Sequence, residues 1–154
     1  MKISSAAFEN GASIPATYAK DGDNESPPLT FADVPSNAKS LLLIVEDPDA
    51  PRGTVTHWVV FDIDPKAHET SAGAVPSGGV QGKNVHNEPG YTGPRPPDKE
   101  HRYFFRLSAL DTKLNLAAGS PRSDVERAAQ GHVLATAELM GRFAPMPKTA
   151  KTHA

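Results

Sequence analysis

The sequence predicts a mainly β fold, a β-sandwich or barrel-like sheet with a C-terminal helix or helix pair packed on it. Three observations lead to this prediction. The 154 residues include 15 prolines and 12 glycines, which favour turns and short elements. Three stretches between residues 40 and 110 have the composition of strands. A helical pattern follows only after them, and strands followed by a helix indicate a sheet covered by that helix.

The three predicted strands lie in the first two thirds of the chain. Residues 40–46 contain five consecutive apolar side chains, which is typical of a buried strand. Residues 54–64 are rich in β-branched and aromatic side chains. Residues 102–110 alternate, as a strand with two different faces does. One face would carry Tyr103, Phe105, Leu107 and Ala109, and the other Arg102, Phe104, Arg106 and Ser108.

The predicted helix begins near Ser123, which has capping-box spacing to Glu126. Residues that form one mostly apolar stripe then recur at helical spacing. They are Val125, Ala128, Ala129, His132, Val133, Thr136, Ala137 and Met140. Gly131 interrupts the pattern and divides it into a short helix and a longer one. Prolines at 145 and 147 end it.

Length and composition limit the classes of protein. We expect one domain over residues 1–144 and a flexible tail over 145–154. The formal net charge of −2 argues against a nucleic-acid partner. The absence of cysteine excludes disulfides and thiolate metal sites. Neither a signal-peptide pattern nor an apolar run long enough to span a bilayer is present, so we expect a cytoplasmic protein without integral membrane association.

Three short segments can carry binding chemistry. They are Asp-Pro-Asp-Ala-Pro at 47–51, His57 with Trp58, and the glycine- and proline-rich loop 90–97 that runs into His101. Each also has an ordinary structural explanation. Aspartates beside prolines commonly form turns, strand histidines commonly pack, and Trp58 is expected in the core. Their combination and spacing are therefore more informative than any one of them.

In combination, the segments resemble the phosphatidylethanolamine-binding family, also called Raf-kinase-inhibitor-like, in its bacterial branch. The matching blocks follow the family's order over roughly residues 9–143. They are Ser-Pro-Pro-Leu at 26–29, Asp-Pro-Asp-Ala-Pro at 47–51, His-Trp at 57–58, Gly-Tyr-Thr-Gly-Pro at 90–94, Pro-Pro at 96–97, His-Arg-Tyr at 101–103, Leu-Asp at 110–111 and Gly-His-Val-Leu-Ala at 131–135.

The resemblance implies a β-sandwich with a large central antiparallel sheet, a smaller sheet and flanking helices. It also implies a cavity for phosphate-like or acetate-like anions, including phospholipid headgroups. The ligand-binding residues carried over from the family are Asp47, His57, Pro96, His101 and Tyr103, with Asp49, Gly93 and Pro94 beside them.

The chemistry of these side chains suits an anion. His57 and His101 supply N–H donors and positive charge when protonated, and Tyr103 can donate its hydroxyl hydrogen. Asp47 fits if it holds a histidine cationic or contacts the ammonium of a zwitterionic ligand. We therefore expect binding to strengthen as the pH falls toward the histidine pKa. The segment 98–100, Asp-Lys-Glu, replaces a glycine-containing stretch of many family members, and Lys99 is expected to add positive charge at the rim.

The function expected from these features is a non-enzymatic binding protein without a cofactor, whose small ligand carries a phosphate or carboxylate, and which can modulate kinase or protease signalling. One alternative is an inhibitor or interaction module whose pocket docks a kinase or protease partner. A hydrolase is less favoured because no Gly-x-Ser-x-Gly segment is present. A metal site of Asp47, Asp49, His57 and His101 lacks any recognised ligand spacing. A homodimer is the commonest assembly of a small soluble oligomer and is expected if the chain self-associates.

Overall fold

The computed structural model describes residues 1–147, which form two antiparallel sheets and one α-helix. The mainly β prediction is therefore confirmed. The large sheet has five strands in the order β6-β4-β3-β7-β8, and the small sheet has three in the order β1-β2-β5. In chain order the strands are β1 (Lys2–Ser4), β2 (Leu29–Ala32), β3 (Ser40–Asp47), β4 (Val55–Ile63), β5 (Glu69–Thr70), β6 (Val80–Gln81), β7 (His101–Leu110) and β8 (Val133–Phe143).

Strand β3 lies at the centre of the large sheet and has apolar neighbours on both faces. Leu41, Leu43 and Val45 belong to the main core, whereas Leu42 and Ile44 pack on the opposite side of the sheet against the helix α1 (Arg122–Ala129). Burial on both faces explains why this strand is continuously apolar rather than alternating.

The central strands agree with the sequence prediction within one residue at each end. Strand β7 also shows the predicted faces, because Tyr103, Phe105 and Leu107 are buried in the main core whereas Arg102 is exposed. Trp58 is buried as expected, and its Nε1 donates a hydrogen bond to Gln81 Oε1 at 2.8 Å. Strands β1, β2, β5 and β6 were not predicted; three of them are only two or three residues long.

The long C-terminal helical prediction is wrong beyond Ala129. The α-helix covers only Arg122–Ala129, and Gly131 then turns the chain with a φ of 82°. Strand β8 follows and pairs antiparallel with β7 over nearly its whole length. The segment contains period-2 alternation as well as helical spacing: Leu139 and Phe143 face the main core. Pairing with the otherwise open edge of β7 satisfies the hydrogen bonds of a row of backbone groups. These long-range hydrogen bonds favour a strand over a helix for residues 133–143.

The predicted capping box is also absent. The residue before the helix is Pro121, without a side-chain cap, and Glu126 Oε1 accepts a hydrogen bond from Arg122 Nε instead. The carbonyl oxygen of Pro121 instead accepts hydrogen bonds from the backbone N–H groups of Asp124 and Val125, so backbone bonds close the first turn.

The predicted tail, residues 145–154, lies mostly outside the described residues. Within them, Met146 packs against the main core. In residues 1–147, the helices are too short or too polar to cross a membrane.

Candidate functional site

A cavity of about 370 Å³ opens where the ends of β3, β4 and β7 meet the loop 90–97. Six of the eight predicted site residues line it. They are Asp47, His57, Gly93, Pro96, His101 and Tyr103. Antiparallel pairing places the end of β3 beside the start of both neighbouring strands, which is why residues far apart in sequence converge here.

His101 is held between two carboxylates. Its Nδ1 lies 2.6 Å from Asp47 Oδ2, and its Nε2 lies 2.7 Å from Asp98 Oδ1. A carboxylate oxygen only accepts, so both ring nitrogens donate and the ring is an imidazolium. Burial alone would lower the pKa of His101, but the hydrogen bonds and charges of Asp47 and Asp98 outweigh it and hold the pKa above its usual value.

His57 has the opposite protonation preference. Its ring is buried, and its Nδ1 donates a hydrogen bond to the carbonyl oxygen of Thr92 at 2.7 Å. Burial lowers the pKa of His57, against the opposing effects of the Thr92 carbonyl and of Asp47. The ring is therefore neutral at pH 7, with Nδ1 carrying its hydrogen and Nε2 left as an acceptor.

Tyr103 packs between the two histidines. Its ring meets His57 edge to face with centroids 5.2 Å apart, and the His101 ring lies 6.5 Å away. Burial, followed by the nearby Asp47 charge, raises the pKa of Tyr103. Its phenol therefore stays protonated, with the Asp47 carboxylate as a nearby acceptor for its hydrogen.

Asp49 is placed outside the cavity. Its carboxylate accepts three hydrogen bonds from Arg102, through the backbone N, Nε and Nη2. These hydrogen bonds and the adjacent charge lower the pKa of Asp49 to about 2. The backbone N–H of Asp49 in turn donates to Asp47 Oδ1 at 2.8 Å, so Asp49 orients the site without lining it.

The loop 90–97 is fixed against the segment before β2. Tyr91 donates its hydroxyl hydrogen to the Tyr18 carbonyl, Gly93 N–H donates to Asn24 Oδ1, and the Pro94 carbonyl accepts from Lys20 N–H. Pro94 thus supports the cavity wall and does not line it. A Cβ at Gly93 would lie 2.2 Å from the Tyr18 carbonyl oxygen, so this position requires glycine.

The basic residues of the rim were not identified from the sequence. Lys20, Arg52, His86 and Arg95 line the cavity, and Lys20 Nζ donates to His86 Nε2 at 3.2 Å. Arg95 also pairs with Asp21 at 3.2 Å. Lys99, expected at the rim, is not among the lining residues. The rim residues come from four separate segments. The sequence shows the charge of each side chain but does not show that these segments converge at the cavity.

Asp98 was noted only as part of a variable segment, and its contact with His101 was not foreseen. Its spacing of three residues from His101 was a usable signal, because such a pair can meet across a turn. No three His, Asp or Glu side chains within residues 1–147 are arranged to hold a metal ion.

Comparison with known proteins gives consistent matches over nearly the whole chain. The family model for phosphatidylethanolamine-binding proteins matches residues 4–144. A UPF0098 protein of Methanothermobacter thermautotrophicus is 48% identical over 148 residues, covering 93% of this chain and 98% of the relative. A UPF0098 protein of Chlamydia trachomatis is 45% identical, with the same coverage.

Two solved structures share the fold. The crystal structure of a phosphatidylethanolamine-binding protein homologue from Chlamydia trachomatis has a TM-score of 0.88 and 44% identity, covering 92% of this chain and 95% of the other. The structure of Escherichia coli YbcL, described as a new member of the mammalian PEBP family, has a TM-score of 0.87 and 30% identity, covering 95% and 98%.

Proposed function

This chain belongs to the phosphatidylethanolamine-binding protein family, and we propose that it is a non-enzymatic binding protein for a small ligand with a phosphate or carboxylate group, such as a phospholipid headgroup. The single observation that carries the proposal is the imidazolium of His101 in the wall of the cavity. An imidazolium at this position can donate a charge-assisted hydrogen bond to an anion that takes the place of one of its two carboxylate partners.

The rim supports the same ligand charge. Lys20, Arg52 and Arg95 also line the cavity, and their positive charges favour an anionic ligand. The walls contain Pro51 and Val55, and the volume is within the range of small-molecule sites. We therefore infer a ligand that combines an anionic group with a small apolar part.

We propose a non-enzymatic role because of the few hydroxyl groups that line the cavity. Thr92 and Tyr103 carry the only hydroxyls among the described residues that line the cavity. The raised pKa of Tyr103 makes its phenol a poor nucleophile.

The test is a two-dimensional NMR titration with acetate, inorganic phosphate and O-phosphoethanolamine. We expect shifts confined to residues around Asp47, His57 and His101, with dissociation constants in roughly the millimolar range for such small probes. In His101→Asn, which keeps an N–H donor for Asp47, we expect affinity to fall about tenfold. The matched control is His132→Asn. His132 is an exposed histidine paired with Asp111, which follows the end of β7 opposite to His101.

The pattern across probes separates the ligand sources. Tighter binding of O-phosphoethanolamine than of inorganic phosphate indicates a lipid headgroup, whereas equal binding indicates a free anion. Absence of localised shifts with all three probes contradicts the proposal and favours the alternative, in which the cavity docks a kinase or protease partner.

A further inference from the structure

The carboxylate of Asp98 occupies the second N–H of His101. Nδ1 is paired with Asp47 and Nε2 with Asp98, so neither N–H is free for a ligand while both contacts hold. An incoming anion gains a hydrogen bond from His101 only when one carboxylate leaves. The anionic ligand of the proposed function therefore competes with a carboxylate of the chain itself for His101.

The two carboxylates are not equally easy to displace. The Asp47 side chain is 5% exposed and also accepts a hydrogen bond from Asp49 N–H. The Asp98 side chain is 43% exposed; the residue does not itself line the cavity and lies between two lining residues, Pro97 and His101. Displacing Asp98 exposes its carboxylate to water, whereas displacing Asp47 would leave a buried charge without its partner.

We propose that Asp98 is an internal competitor that occupies the Nε2 hydrogen of His101, and that ligand binding exchanges its carboxylate for the carboxylate or phosphate of the ligand there. The inference rests on the proposed function. It also assigns specificity, since a neutral molecule cannot replace a charge-assisted hydrogen bond at a cation. Only a ligand with an anionic oxygen can accept the His101 hydrogen as the Asp98 carboxylate does.

The tether makes the competition effective. Asp98 is three residues from His101 in the same chain, so its carboxylate acts at an effective concentration of about millimolar or more. An external anion displaces Asp98 only if it is present above that effective concentration or binds His101 more tightly than Asp98 does. Weak binding of simple anions to the wild type is the consequence, and a ligand with further contacts to the cavity wall overcomes it.

The experiment compares wild type, Asp98→Asn and Glu100→Gln by isothermal titration and NMR, with acetate as the main probe and O-phosphoethanolamine as the second. Glu100 is the matched control because it carries a carboxylate in the same segment but pairs with Arg142 at 3.3 Å. The measurement is made at about pH 6, below the usual histidine pKa, and the ring resonances of His101 verify its protonation in each protein because Asp98→Asn removes one of the groups that raise that pKa. Thermal unfolding verifies that each variant is folded.

We expect Asp98→Asn to bind acetate roughly three- to tenfold more tightly than wild type, since a neutral amide is a weaker acceptor, and Glu100→Gln to bind as wild type does. In wild type, saturating acetate should shift the Asp98 carboxyl resonance toward that of a free carboxylate.

The other outcomes each overturn the inference in a distinguishable way. Equal affinity of wild type and Asp98→Asn excludes competition but leaves the anion site intact. Weaker binding by Asp98→Asn makes Asp98 a residue that positions His101. Absence of binding in all three proteins removes the proposed function and the competitor with it.

Discussion

Asp49 and Arg102 join the loop after β3 to the start of β7. Asp49 Oδ2 accepts from the backbone N and the Nε of Arg102, both at 2.9 Å, and Oδ1 accepts from Nη2 at 2.8 Å. The pair holds the loop whose Asp47 contacts His101. A residue predicted to bind ligand is thus part of the frame that positions Asp47.

Asp49→Asn should reduce the free energy of unfolding at pH 7 by about 1 kcal/mol, a modest value because Arg102 is half exposed. The pKa of Asp49 is lowered to about 2 in the fold, so its stabilisation is present above the unfolded value of about 4 and is lost as the pH falls through about 2. Urea unfolding of both proteins across this range measures the difference. The stability difference between wild type and Asp49→Asn should disappear as the pH falls. Asp23→Asn, a change at an exposed aspartate, is the control and should show no such pH dependence.

His101 should stabilise the fold most at low pH within the histidine range. Its folded pKa is raised, so its contribution is fully present below the unfolded value of about 6.5 and is lost as the pH rises through the folded value. We expect acetate affinity to decline over the same rise, because the cation is lost. An NMR titration of the ring resonances and of acetate binding measures both. Affinity that stays constant through the measured pKa would contradict the role of the imidazolium.

His57 should act in the opposite direction. Its folded pKa is lowered by burial, so wild type is fully stable above about pH 6.5 and loses stability as the pH falls toward the folded value. His57→Asn keeps a donor for the Thr92 carbonyl but does not titrate there, so the stability difference between the two proteins should shift in favour of the variant on acidification. Identical pH profiles of wild type and His57→Asn would show that this ring does not resist protonation.

Gly93→Ala should destabilise the fold strongly, by about 2 kcal/mol or more, because its Cβ would meet the Tyr18 carbonyl oxygen at 2.2 Å and backbone atoms of Ala19 and Lys20. The matched change is Gly90→Ala, in the same loop. Gly90 has a φ of 127° but no atom within 4 Å of its added Cβ, so only backbone strain of about 1–2 kcal/mol applies. Thermal unfolding should rank Gly93→Ala as the less stable variant; the reverse order would mean that the 18–20 segment moves freely away from the loop.

The two histidines of the site differ in protonation because of tertiary contacts, which the sequence does not reveal. From the sequence, both His57 and His101 were expected to supply N–H donors, and positive charge when protonated. Their different surroundings divide them, because His57 faces a backbone carbonyl and an apolar interior whereas His101 lies between two carboxylates. The expected pH dependence of binding therefore falls on His101 alone.

The sequence by itself determined the features that depend on local pattern. Continuous apolar character located β3, alternation located β7, and the order of short blocks identified the family together with six residues that line the cavity. The tertiary structure decided the rest. Residues 133–143 carry both helical and strand periodicity, and the open edge of β7 selected the strand. The partners of Asp49, Asp98 and Lys20 were likewise decided by which charges folding brings within hydrogen-bond distance, a quantity that sequence spacing does not fix.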